Sequence, residues 1–566
     1  MRKKLLFILF IMCILCNSSA QNTYFVTQSP VEQPLHEMRA VWLTTIGGID
    51  WPHYYSQSQL SAEKQQKELC TILDQLVAAG YNTVLIQTRI RATTIFPSDL
   101  EPWDGCLSGF PGKSPGYDAL EYAVKECHKR GMKLHAWVVT IPVGKWNKTG
   151  CASLRKTHPE LLKKIGDEGF MNPEHSGTST YLANFCRDIA ERYDIDGIHL
   201  DYIRYPETWK AIGNRDKGRE NITRIVRAVH DAVKAVKPWV MMSCSPVGKY
   251  ADTKRKWSHG WNARDVVCQD AVRWLDEGLM DCLFPMMYFR GENFYPFAID
   301  WQERSNGKII TPGLGIYFMH PREKNWPLSD ITQELHVLRQ YGMGNCLFRS
   351  KFFTDNTKGL YDYVKDTYSP LPSLQPAMKW YDVRKPDAVT SLATAYYTDG
   401  TMKLSWESEG ADVRYNVYGS DVLPVDVTKA ENLLAAELET PCVVMPQSAS
   451  VRYFAVTATD RYGNESEPRQ SVKSSSGSQQ AEHHTPMAFL PVVKGRVVLD
   501  GKDVTDGQLL VVKSVEGVEM HSCFARYQDG HLSADIASLP QGYYSLYFIN
   551  KKGHQHKIGN LSVFSF

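Results

Sequence analysis

Short apolar runs alternate with amphipathic stretches along the first two thirds of the chain. Ala40–Thr45, Thr83–Thr88, Lys133–Thr140, Gly197–Leu200, Val240–Ser245, Cys282–Met287, Ile309–Leu314 and Asn345–Phe348 read as eight buried strands. Between them, Glu63–Ala79, Tyr117–Arg130, Thr178–Tyr193, Glu220–Val236 and Leu328–Gln340 repeat apolar residues at helical spacing. Two of these helices run into glycine, Gly80 and Gly131, where a left-handed cap ends a helix at little steric cost. Alternation of this kind gives parallel strands joined by right-handed crossovers. Eight units over residues 36–370 predict an α/β fold, a (β/α)8 TIM-type barrel with enlarged loops. No G-x-G-x-x-G follows any run, which argues against a doubly wound dinucleotide-binding sheet.

Pro370, Pro372 and Pro376 interrupt the helical spacing, and a two-residue alternation takes over. Residues 383–472 carry strand patterns such as Met402–Trp406, Arg414–Tyr418 and Tyr453–Thr459. In that segment Trp406, the Tyr453-Phe454-Ala455-Val456 run and the following Asp460-Arg461-Tyr462-Gly463-Asn464 resemble a fibronectin type III module. Residues 473–485 form a Ser/Gln-rich linker that lacks the apolar side chains for a core. Residues 486–566 have short strands with turns at Asp500-Gly501, Asp529-Gly530 and Gln541-Gly542, the pattern of a small β-sandwich.

The other end of the chain changes the picture. Arg2, Lys3 and Lys4 precede an apolar run from Leu5 to Leu15, and Ser18-Ser19-Ala20 follows. This is the pattern of an export signal over residues 1–20, which predicts a periplasmic, surface or extracellular address. Leu15 stands before Cys16 where a lipid-anchored chain needs a small residue, and no later run is long enough for a stable membrane span. Without the three leader cations the formal charge of +2 falls to near neutrality, so there is no basic footprint for nucleic acid. The 13 cysteines include Cys13 and Cys16 of the leader, and the rest are scattered without C-x-x-C spacing. They form neither a disulfide framework nor a zinc site. Oligomeric state is left open.

In a barrel of this type reactive groups stand at the C-terminal strand ends. The densest cluster is Asp196-Gly197-Ile198-His199-Leu200-Asp201-Tyr202-Ile203-Arg204-Tyr205-Pro206. An aspartate ending an apolar strand is costly unless paired or used, so Asp201 is either a structural partner of Arg204 or a functional group. Other strand ends offer Asp50 and Trp51, Gln87, Arg89 and Arg91, Glu101 beside Trp103, His135 and Trp137, Asn172, Ser245, Tyr288, Arg290 and Glu292. His135 also suits a core position, and Trp51 and Trp103 suit loop anchors as well as sugar platforms. His199 and Asp201 share a strand face, but no further ligands converge by spacing, so no metal or other cofactor is expected. Carboxylates, Arg, Tyr and Trp without H-E-x-x-H, G-x-S-x-G or a phosphate loop suit glycosidic bond cleavage. There one carboxylic acid protonates the leaving oxygen, and a second carboxylate attacks or activates water.

His36-Glu37-Met38-Arg39-Ala40-Val41-Trp42-Leu43, Asp50-Trp51-Pro52, Glu101-Pro102-Trp103, Leu134-His135-Ala136-Trp137 and Asp196–Pro206 together resemble the bacterial glycosyl-hydrolase-like family ten, over about residues 36–350. The resemblance implies a glycosidase barrel of exported proteins acting on cell-wall glycan, particularly strands stripped of peptide. It implies Asp201 as the catalytic aspartate, with Arg89, Glu101, His135, Asn172 and Tyr288 lining the cleft. The chain departs from the family in having Ala92-Thr93-Thr94 where relatives carry a Gly-Asp pair. The expected assignment is Asp201 as nucleophile or base and Glu101 as general acid, with Glu292 and Asp50 in reserve. Asp50, Trp51, Arg89, His135, Trp137, Asn172, His199, Tyr202, Arg204, Tyr205, Tyr288 and Glu292 are expected to bind the glycan. The rival from another class is a non-catalytic carbohydrate-binding barrel, which gives affinity without new reducing ends. A protein-interaction scaffold explains only the C-terminal third. Removal of residues 386–566 is expected to leave an active barrel.

Overall fold

The computed structural model describes residues 31–471, except 210–211, 257, 259, 382–383, 398, 411 and 449, and residues 490–563, except 491, 494, 500–501, 503, 515–517, 529–530, 541 and 550–554. The expected export signal, the 473–485 linker and the turns at 500–501, 529–530 and 541 lie outside the described residues.

Eight strands are present: β1 (Arg39–Leu43), β2 (Thr83–Arg89), β3 (Lys133–Val139), β4 (Gly197–Asp201), β5 (Met241–Cys244), β6 (Cys282–Leu283 with Met286–Met287), β7 (Ile309–Ile310 with Gly313–Leu314) and β8 (Asn345–Leu347). Each pairs in parallel with the next, and β8 pairs with β1 through Arg39 opposite Asn345, which closes the ring. Pro285 and Pro312 divide β6 and β7 because proline brings no N–H to a ladder, so the ten-segment sheet is an eight-stranded barrel. Eight helices follow the strands in turn: α1 (Gln59–Ala78), α2 (Ala119–His128), α3 (Ser176–Arg192), α4 (Arg215–Val236), α5 (Ala271–Asp276), α6 (Tyr295–Glu303), α7 (Leu328–Gln340) and α8 (Leu360–Tyr363).

Local chemistry fixes the helix ends. Ser58 and Ser61 form a capping box that starts α1 four residues before the expected Glu63, and the Asp118 carboxylate accepts from Leu120 and Glu121 N–H at the start of α2. Strand alternation then separates two cores. On β3, Leu134, Ala136 and Val138 pack outward against the helices, while Trp137 joins Met38, Trp42, Met241 and Phe284 inside the barrel. After β3 the chain builds a small antiparallel sheet from Pro142–Lys145, Leu162–Ile165 and Glu168–Met171, with a helix at Thr149–Thr157. The sequence reading leaves this insert as a loop.

Two further sheets occupy residues 390–470: Thr390–Tyr396, Thr401–Glu407 and Cys442–Pro446 in one, and Leu433–Leu438, Arg414–Ser420, Tyr453–Thr459 and Arg469–Gln470 in the other. Residues 407–441 and 452–471 form one compact unit with the barrel. Lys133 pairs with Glu437, and Arg461 with Asp194 at 2.8 Å. The second unit contains residues 391–406, 442–451 and the C-terminal region. Its residues 490–563 form two four-stranded antiparallel sheets around Val497, Leu510, Val512, Leu546 and Leu561, as a β-sandwich requires.

Candidate active site

β4 carries Asp201 to the C-terminal end of the barrel, where the residue is 6% exposed. Three neutral donors fix the carboxylate. The Ser245 hydroxyl (2.7 Å) and the Tyr202 N–H (2.8 Å) donate to Oδ1, and the Trp137 indole N–H (3.1 Å) donates to Oδ2. Tyr202 reaches this position with φ of +53°, a conformation that costs a tyrosine about 1–3 kcal/mol. Burial raises the Asp201 carboxyl above the ordinary aspartate range, and the three hydrogen bonds and the Arg204 charge offset only part of that rise. No cation lies within ion-pair distance of Asp201 among the described residues. Arg204 instead gives its guanidinium to Glu207 at 2.7 Å, so the alternative reading of Asp201 as a structural partner of Arg204 does not hold.

Asp201 lies on the wall of a cavity of about 570 Å³. Six aromatic rings line that wall, Trp42, Trp137, Phe170, Tyr202, Tyr288 and Phe348, with Tyr288 and Phe348 stacked at 5.3 Å. Burial, and then the Asp201 charge, push the Tyr288 phenol well above its ordinary value, so it stays a neutral donor. Glu168 of the insert and Glu207 after β4 supply two further carboxylates to the wall. Neither is among the residues singled out from the sequence. Glu207 directly follows the Asp196–Pro206 cluster, whereas nothing in the pattern around Glu168 marks it before the insert is seen to fold.

Several expected cleft residues have structural partners instead. Glu101 is 3% exposed and accepts two hydrogen bonds from Arg89 Nε (2.9 and 2.8 Å), one from Arg89 Nη2 (2.6 Å) and one from the Tyr181 hydroxyl (3.1 Å). Arg89 also donates to the Val139 and Thr140 carbonyls. Both residues lie outside the cavity wall, and Arg89 and Tyr181 already occupy the Glu101 carboxylate. The expected role of Glu101 as general acid and of Arg89 as a glycan ligand is therefore withdrawn. Asp50 is buried, accepts from Thr44 N–H (2.9 Å) and hydroxyl (2.6 Å), and pairs with Arg349. Trp51 is fully buried, its indole N–H bonded to the Gln65 carbonyl at 2.9 Å, so it anchors a loop.

His135 and His199 are buried in the barrel interior on either side of Ser243, with Trp42 Nε1 donating to His199 Nε2 at 3.4 Å. Burial lowers the His135 imidazole to about 4 and the His199 imidazole well below its usual range, so both are neutral packing groups rather than cleft ligands. Tyr205 is buried and its hydroxyl accepts from Asn221 at 3.2 Å. Asn172 holds the Glu174 N–H at 3.1 Å, and Glu292 is exposed on the Gly291–Asn293 turn; neither lines the cavity. Of the expected glycan ligands, Trp137, Tyr202 and Tyr288 line the cavity, and Arg204 stands behind it, 4.6 Å from the Tyr202 ring. No group of three His, Cys, Asp or Glu side chains suited to a metal ion occurs among the described residues.

Residues 37–218 and 207–320 match the profile of the family described as glycosyl hydrolase-like 10. The chain belongs to that family. Its glycosyl hydrolase-like 10 segment contains β1 to β7 and every carboxylate of the cavity. Two curated proteins are similar to this chain. Glycosyl hydrolase YngK of Bacillus subtilis (strain 168) is 28% identical over 389 residues, 62% of this chain and 75% of that protein. Glycosyl hydrolase DigH of Escherichia coli (strain K12) is 29% identical over 293 residues, 46% of this chain and 67% of that protein. Among solved structures, alpha-L-fucosidase isoenzyme 2 from Paenibacillus thiaminolyticus is similar at 13% identity and a TM-score of 0.39, over 59% of this chain and 49% of that one.

Proposed function

We propose that this chain is an exported glycoside hydrolase that cuts bacterial cell-wall glycan stripped of peptide, with Asp201 as a catalytic carboxylate. One observation carries the reading: Asp201 is oriented by three neutral donors on the wall of an aromatic cavity, with no guanidinium upon it. Two donors occupy Oδ1 and one occupies Oδ2, which leaves Oδ2 an open lone pair for an anomeric carbon or a water. Burial strips that oxygen of competing solvent, and the rings offer faces for pyranose stacking.

Hydrolysis also needs a proton for the leaving oxygen. Glu207 is held ionised by Arg204, which outweighs the effect of its partial burial, whereas the cation facing Glu168, Lys145 at 3.7 Å, gives its hydrogen bond to Asp167, so Glu168 is assigned as the proton donor. The glycosidic C–O bond breaks as Glu168 protonates the departing oxygen. Water then supplies hydroxyl to the anomeric carbon, and its second proton returns to a carboxylate. The N-terminal pattern of Arg2–Ala20 supports export, and the three- and four-stranded sheets of residues 390–470 support a fibronectin type III-like module.

The test is release of reducing ends from peptide-free wall glycan. Wild-type protein is expected to turn the strands over, and Glu168→Gln is expected to lower the rate about 10²-fold or more, with Glu207→Gln affected less. Binding without any new reducing ends on long incubation contradicts the reading and leaves a carbohydrate-binding barrel.

A further inference from the structure

The cavity wall contains three carboxylates but one cationic side chain among the described residues, Arg91. It makes no hydrogen bond or ion pair with any described residue, although Glu168 and Glu207 line the same wall. Arg204, behind the wall, is already taken by Glu207. Lys145 of the insert is likewise taken, by Asp167 at 2.7 Å with Glu168 at 3.7 Å.

Arg91 is exposed, yet its position is built. It sits in a tight turn closed by Ile90 N–H on the Thr93 carbonyl at 2.9 Å, and Ala92 beside it holds φ of +53°. The insert after β3 clamps this turn with two glycines. A Cβ on Gly144, itself at φ of +83°, would lie 2.9 Å from Arg91 Cδ and 3.1 Å from its Cβ. A Cβ on Gly150 would collide with the Arg91 and Ala92 carbonyl oxygens. Only bare backbone lets the insert close on the turn and lay the arginine stem along the wall, which leaves the guanidinium fork unpaired.

We infer that Arg91 is a recognition residue for a carboxylate carried by the bound sugar, which makes an acidic glycan the preferred substrate class. The inference rests on the cavity being a glycan site. A planar guanidinium matches a carboxylate with two parallel N–H donors. In wall glycan the lactyl group of N-acetylmuramic acid carries that carboxylate only once peptide is removed, because the peptide converts it to a neutral amide. Arg91 thereby gives the enzyme a physical reason to prefer stripped strands.

The test is equilibrium binding to full-length Asp201→Asn protein, which removes turnover from the measurement. Its probes are peptide-free wall strands, the same strands with the lactyl carboxyl reduced to an alcohol, and oligouronates. Native strands are expected to bind about tenfold or more tightly than reduced ones. Adding Arg91→Gln should erase the contrast, and Arg91→Lys should restore part of it. Equal binding of native and reduced strands, or a contrast that survives Arg91→Gln, overturns the inference. Preference for oligouronates over wall strands upholds the carboxylate contact and overturns the wall-glycan assignment. Binding of no glycan overturns both.

Discussion

The five-residue strand β4 has an aspartate at each end, and the two are treated in opposite ways. Asp196, just below the strand, accepts from the His128 imidazole and the Leu134 N–H, each at 2.9 Å, with Lys133 and Arg461 both 3.8 Å away. Burial alone would raise its carboxyl, but the cations outweigh burial and hold it far below the ordinary range. Asp201, at the upper end, meets only neutral donors and is raised. Both are buried carboxylates on one strand. Cations around the lower one make it part of the scaffold, while hydroxyl, amide and indole donors orient the upper one without neutralising it. Burial therefore does not distinguish the two aspartates; the charge of the partner does.

The largest test of this contrast is removal of residues 386–566. That deletion takes Arg461 from Asp196 and Glu437 from Lys133, and it takes Glu439 from His128, which it approaches to 3.7 Å. The melting temperature of the remaining barrel is expected to fall by about 10 °C or more, against the sequence expectation of an independent active barrel. An unchanged melt would show that the lower face tolerates bare charges. Next comes Glu101→Gln, which strands the buried Arg89 guanidinium and is expected to cost about 3–5 kcal/mol in urea unfolding. Full stability with lost turnover would return Glu101 to the chemistry.

Ser245→Ala probes the upper aspartate more gently. Loss of a donor to the charged form raises the Asp201 carboxyl further, so the acid limb of the kcat/KM profile should move to higher pH, with turnover down about tenfold. A limb that stays in place, or moves down, would detach Asp201 from that profile. The smallest effect is expected at the exposed Lys125–Glu121 pair, 2.7 Å apart on α2, where Lys125→Ala should change stability by only ~0.3–0.5 kcal/mol.

The barrel was legible because its signal is local. Apolar runs mark each strand to within about two residues, and the proline breaks in β6 and β7 do not move the strands they divide. The insert after β3 was illegible because its strands are four residues each and hold glycine and charge as well as apolar groups. At the site, Asp201, Trp137, Tyr202 and Tyr288 could be read from their place at strand ends. Glu101 and Arg89 could not be assigned, because a strand-end arginine and a carboxylate in the loop after the same strand look alike whether they face a ligand or each other. Only the fold brings them together at 2.6 Å. Glu168 and the clamped turn at Arg91 depend on the insert closing, which no periodicity reports.

Folded-state linkage gives the two aspartates opposite signatures. Asp196, depressed, adds stability that is present above the unfolded aspartate value of about 3.9 and is lost as pH falls toward its folded value. Asp201, raised, loses stability as pH climbs from the unfolded aspartate value of about 3.9 through its folded value and bears the full cost above that, which an amide relieves. The most direct measurement therefore compares Asp201→Asn with Asp196→Asn for both turnover on peptide-free wall glycan and melting temperature near neutral pH. Asp201→Asn is expected to lose about 10³-fold or more in rate while its melting temperature stays level or rises, and Asp196→Asn is expected to melt lower while its folded fraction turns over normally. Retained turnover in Asp201→Asn, or a collapse of its melting temperature to that of Asp196→Asn, would contradict the assignment of β4's upper aspartate to chemistry.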